Sequence, residues 1–117
     1  MPTLKELTQK KCQPCGGGVQ PMSPEPVKDY LQVLPGWQLS SDGKSISRLY
    51  VMKGFAEAVK LIDRICEVAE AEDHHPDLHL TGYRKLLIEL STHAIQGLSE
   101  NDFILASKIE SIPKELK

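Results

Sequence analysis

Aromatic side chains are scarce in this 117-residue sequence, where one Trp, three Tyr and two Phe make up 5% of the chain. Stacking platforms for single-stranded nucleic acid are therefore few. No excess charge compensates, since 14 basic against 16 acidic residues leave a formal net charge of −2. Direct binding to nucleic acid or to an anionic membrane is not expected of such a surface. No apolar run reaches the roughly 18 residues that would argue for a membrane span. Behind Met1-Pro2-Thr3-Leu4-Lys5-Glu6 there is no apolar signal-peptide core, so a cytoplasmic location is expected. Cys12, Cys15 and Cys66 are an odd and small set, which does not make a disulfide framework.

What is present reads as one ordinary globular domain: 40% hydrophobic and 26% charged residues in a length typical of a single core. Residues 1–22 differ from the rest. They hold Lys10-Lys11, Cys12-Gln13-Pro14-Cys15 and Gly16-Gly17-Gly18 without sustained apolar periodicity, and are expected to form a mobile or loosely docked extension. The domain proper is expected over 23–117. Ser23-Pro24-Glu25 is a helix start, with a hydroxyl N-cap, proline at the first helical position and an early acid. Val27, Tyr30, Leu31 and Leu34 follow at helical spacing, and Pro35-Gly36 ends the helix.

Trp37 and Leu39 open a strand, and Asp42-Gly43 predicts a two-residue type I′ hairpin turn. The return strand places Ile46, Tyr50 and Met52 on one face, with Leu49 and Val51 on the other. From Phe55 to about Ala71, an apolar stripe of Phe55, Ala58, Val59, Ile62, Ile65, Cys66 and Ala69 predicts the longest helix. Cys66 within it is expected to be buried, and Trp37 and both Phe residues to lie in the core. A strand over Leu78–Thr81, a Gly82 turn and a strand from Arg84 to Thr92 follow, with Leu86, Ile88 and Leu90 sharing one face. Alternation continued to His93 puts it with Ser91. Ser99-Glu100-Asn101-Asp102 has the form of a capping box for a last helix. Two hairpins joined by an amphipathic helix make an α+β domain, a four-stranded antiparallel sheet with three helices packed on one face.

All four histidines lie between positions 74 and 93. Imidazole gives and takes protons near neutral pH, so this clustering points to proton transfer on a small molecule. His74-His75-Pro76 follows the long helix on a stiffened loop, and His93 reaches the same region if the last strand pair folds back beside it. Glu70 is placed at the edge of the apolar stripe, partly desolvated, where it would orient an imidazole or hold a substrate N–H. His79 reads as structural. Asp102 is accounted for by the capping box. Zinc is the chemical rival, because Cys12-x-x-Cys15 is a half-site. No second Cys pair follows, no His-Glu-x-x-His occurs, and adjacent histidines do not easily share one tetrahedral ion. Gly16-Gly17-Gly18 lacks the Lys-Ser/Thr of a phosphate loop.

The order Glu70, His74-His75-Pro76, Tyr83, His93, Asp102 resembles the signature of the pterin-4a-carbinolamine dehydratases. Asp73 before the histidines, Leu90-Ser91-Thr92 before His93, Gly97-Leu98-Ser99 and Leu105-Ala106-Ser107 extend the likeness over roughly residues 23–112. The resemblance implies dehydration of 4a-hydroxytetrahydrobiopterin or a related pterin to the quinonoid dihydropterin, without metal or organic cofactor. It implies His74 and His75 as the acid/base pair, and His93 as a ring-holding group and further base. Asp73, Ser91 and Thr92 would line the pterin pocket, with Glu70 supporting the histidines and Pro76 and Asp102 structural. Homo-oligomers, dimer or tetramer, and a place beside a pterin-dependent hydroxylase are implied as well. A non-catalytic pterin-binding or dimerisation scaffold of the same fold is the alternative.

Overall fold

The computed structural model describes residues 3–13 and 20–117. Its elements run α1 (Leu4–Gln9), α2 (Pro24–Gln32), β1 (Gln38–Leu39), β2 (Ile46–Val51), α3 (Phe55–Glu72), β3 (Asp77–Thr81), β4 (Lys85–Leu90), a 3₁₀ turn (His93–Ile95) and α4 (Glu100–Glu110). The strands form one antiparallel sheet in the order β1-β2-β4-β3. Register follows the hydrophobic pattern: Ile46 faces Leu90, Tyr50 faces Leu86, and Leu78 and Leu80 oppose Ile88 and Leu86. Ile46, Leu86, Ile88 and Leu90 are at most 1% exposed. Each such side chain contributes about 1.5–3 kcal/mol on burial, and a one-residue slip would turn the whole set outward. Leu49, on the opposite face, is 51% exposed, so the helices α2, α3 and α4 cover one side only.

Four expectations need correction. The extension is not separate from the domain where it is described. Thr3 caps α1 by accepting from the Glu6 N–H, α1 packs on α4, and Leu7 is fully buried in the core. A single leucine carries that docking, too little to register as periodicity. Cys15 and the glycine run lie outside the described residues. In the β1–β2 loop, Gly43 has φ +73° but Asp42 does not have positive φ, so the turn is not type I′. Ser40 instead accepts from the Gly43 N–H, and the Asp42 carboxylate accepts from the Ser40 hydroxyl and the Lys44 N–H.

Along α3 the buried side is Ala58, Leu61, Ile65 and Ala69. Phe55, Val59 and Cys66 are exposed, Phe55 at 57%. Apolar residues cover a wider arc than one contact with the sheet and α4 can bury, so periodicity found the helix but centred its face wrongly. β4 also ends at Leu90, and the chain then turns through the 3₁₀ segment, so His93 is not a strand residue.

Candidate active site

α3 ends in a left-handed turn. Asp73 has φ +52°, a conformation Asp tolerates better than most residues, and the His74 N–H returns to the Ala69 carbonyl at 3.2 Å. The reversal delivers His74 and His75 to the end of the sheet. On the far side, Thr92 and Gly97 form a small bridge, Thr92 N–H to Gly97 O at 2.8 Å, that pinches off the loop carrying His93. Between the two lies a cavity of about 460 Å³, lined by His74, His75 and His93 together with Asp73, Ser91 and Thr92. Every residue expected to touch substrate is there except Glu70.

Glu70 stands outside, with its carboxylate 2.5 Å from His75 Nε2. Its side chain is 69% exposed, so the expected desolvation does not occur, and an exposed pair of this kind is weak. His79 is on the open face of the sheet, paired with Glu89 at 2.8 Å, away from the cavity. Pro76 follows the histidines as the chain enters β3.

Asp102 is the residue whose part the capping box underdescribes. It is completely buried at the third position of α4. Its Oδ2 accepts from the Ser99 N–H at 3.0 Å and from the Thr92 hydroxyl at 2.8 Å. Its Oδ1 lies 2.7 Å from His74 Nε2. One carboxylate thus closes a helix end, ties down the Thr92 bridge and fixes an imidazole. Because a carboxylate held among donors is itself an acceptor, His74 Nε2 carries the proton of this bond, and Nδ1 is the nitrogen left for other work. His74 is nearly buried, with its side chain 12% exposed.

Cys12, singled out in the sequence only as half of a zinc pair, and Gln13, Glu72, Ala94 and Asn101, which the sequence did not single out, complete the lining. Asn101 had a signal in its adjacency to Asp102 on the first turn of α4. Gln13 had none, being in the extension. Burial, and then the charge of Glu72, push the Cys12 thiol up to about 12, so it stays protonated at neutral pH. Among the described residues, no three His, Cys, Asp or Glu side chains converge as metal ligands would. Among the described residues, no helix is long and apolar enough to cross a membrane.

The family described as pterin 4 alpha carbinolamine dehydratase has a model that matches residues 20–112. The chain belongs to the pterin-4a-carbinolamine dehydratase family. The family's members are hydro-lyases, and this dehydratase assignment extends to the chain. A relative from Halorhodospira halophila that bears the family's name is 45% identical over 106 residues, 91% of this chain and 96% of its own. The mitochondrial pterin-4-alpha-carbinolamine dehydratase 2 of Arabidopsis thaliana is 41% identical, spanning 97% of this chain and 62% of that protein. A solved structure from Brucella melitensis, titled transcriptional coactivator/pterin dehydratase, superposes with a TM-score of 0.74 at 27% identity. It covers 79% of this chain and 97% of its own. Dehydration delivers one proton and removes another, and three imidazoles line this one cavity.

Proposed function

We propose that this cavity dehydrates a pterin 4a-carbinolamine, 4a-hydroxytetrahydrobiopterin or a close relative, by histidine acid/base catalysis. A proton passes to the 4a-hydroxyl, the C4a–O bond breaks, and water leaves. The N5–H proton passes to a base as the N5=C4a bond forms, giving the quinonoid dihydropterin with no change of oxidation state. The observation that carries the reading is the meeting of His74, His75 and His93 at one cavity, with His74 fixed by a buried carboxylate. His74 and His75 form the acid/base pair, and His93, on its short turn, holds the ring and serves as a further base. Asp73, Ser91 and Thr92 contact the pterin, and Glu70 acts on it only through His75.

The substrate is the product of a pterin-dependent hydroxylase, so the place of this reaction is tetrahydrobiopterin recycling beside such an enzyme. A homo-oligomer, dimer or tetramer, belongs to the same reading, and the exposed apolar side of α3 with Phe55 and Val59 is a surface it would cover. Sedimentation of the purified chain decides it. The deciding chemical experiment follows decay of the 4a-carbinolamine spectroscopically. Acceleration by the wild-type protein, lost in His74→Ala, is expected; no acceleration by the wild type sinks the proposal.

The Brucella protein is also named as a transcriptional coactivator, which supports a protein-binding role for the same fold. Co-purification with a partner that survives His93→Ala would show that role to be separate from the cavity.

A further inference from the structure

One wall of the cavity comes from Cys12 and Gln13, which lie outside the residues 20–112 that match the family's model. The segment is held there by a set of bonds too regular to be incidental. Asn101 grips the Gln13 backbone from both sides: its Oδ1 accepts the Gln13 N–H at 2.9 Å, and its Nδ2 donates to the Gln13 carbonyl at 2.5 Å. Glu72 accepts the Cys12 N–H at 2.7 Å, and the Cys12 thiol lies 3.6 Å from the Asn101 carbonyl. Further back, Lys10 pairs with Glu100 at 2.9 Å, Lys108 donates to the Thr8 carbonyl at 2.8 Å, and Leu7 fills the core. Two of the anchors have a second connection to the site. Asn101 precedes Asp102 on α4, and Glu72 precedes Asp73 at the end of α3.

We propose that this N-terminal strap, residues 3–13, is a substrate-binding wall of the active site that sets how tightly the pterin is held. The inference rests on the dehydratase reading above. Asn101 is a positioning residue that fixes the strap, and Gln13 is the strap residue that meets the bound pterin. A wall that contacts ground state and transition state alike acts on KM and leaves kcat alone. Binding is reciprocal, so pterin in the cavity also holds the strap closed.

The test compares steady-state carbinolamine dehydration by the full-length wild type, Gln13→Ala and Asn101→Ala. Gln13 is exposed and its truncation does not threaten folding; thermal melting checks Asn101→Ala. KM is expected to rise about threefold for Gln13→Ala and about tenfold for Asn101→Ala, with kcat within about twofold. A second readout uses Cys12 as a reporter in a Cys15→Ser/Cys66→Ser background. Saturating dihydropterin is expected to slow N-ethylmaleimide alkylation of Cys12 at least about fivefold, and Asn101→Ala to speed it. Unchanged KM in both variants overturns the proposal, as does alkylation indifferent to pterin. A fall in kcat without a rise in KM also overturns it, placing Asn101 in the support of Asp102 instead. Failure of the wild type to dehydrate the carbinolamine is a different result, which removes the dehydratase reading and this inference with it.

Discussion

His74 and Asp102 are 28 residues apart in the chain and 2.7 Å apart in space, between an imidazole at the cavity and a carboxylate with no exposed surface. Asp102→Asn tests what that contact does. An amide keeps the shape, but it has one oxygen where three donors now converge on two. A positioning partner of this kind is typically worth about 10–100-fold in activity, so kcat is expected to fall by that factor with the fold retained. Loss of a buried charge-assisted contact also lowers stability by about 1–3 kcal/mol. Steady-state kinetics and urea unfolding of the same preparation separate the two effects.

Replacing the histidines and Glu70 one at a time should give unequal losses. His74→Ala is expected to reduce kcat by about 10²–10⁴-fold, the usual worth of a positioned acid or base. Glu70→Gln should cost no more than about fivefold, because its contact with His75 is exposed and competes with water. His79→Ala, on the far face of the sheet, should leave activity within about twofold of wild type. Near-equal losses for His74 and Glu70 would contradict the geometry.

Local pattern made most of the fold legible. Alternation along Leu86, Ile88 and Leu90 located a buried strand face, and Ser23-Pro24 located a helix start within a residue. The candidate cavity was legible because three of its imidazoles fall within 20 residues of sequence and their spacing resembles a known signature. Illegible features depend on tertiary contacts. Leu61 rather than Val59 faces the core because α3 is rotated by what it packs on, which no window of sequence contains. Asp102 carries a local role, the cap, that is visible in the sequence, but its bond to His74 spans 28 residues and no local pattern anticipates it. Cys12 and Gln13 became part of the cavity through backbone contacts, which side-chain identity does not encode.

Leu7 anchors α1 and therefore the strap. It is fully buried although its helix has only six residues, too few to be stable without docking. Leu7→Ala is expected to lower stability by about 2–4 kcal/mol through lost burial and a residual cavity. Because the packing of α1 is mainly against α4, α1 is expected to release before the sheet melts. Amide hydrogen exchange should show protection lost in 4–9 while Leu86–Leu90 keep theirs.

Tyr50 is expected to contribute to loss of stability at alkaline pH. Its ring is 2% exposed, and its hydroxyl donates to Glu110, which also accepts from Trp37 Nε1 at 2.9 Å. Burial first, and then the bond and charge of Glu110, push the Tyr50 phenol above its ordinary value of 10.0. The folded state therefore keeps a proton that the unfolded state gives up. Stability from this group is complete below the unfolded value and is lost as pH rises above about 10, since unfolding then releases a proton. Tyr30 behaves alike, for burial and its bond to Glu100 push its phenol in the same direction. Urea midpoints are accordingly expected to decline above about pH 10. In Tyr50→Phe, which has no proton to lose at this site, the midpoint should be lower at pH 8 but should decline less steeply above pH 10. Parallel decline in both proteins would assign the alkaline loss to other groups.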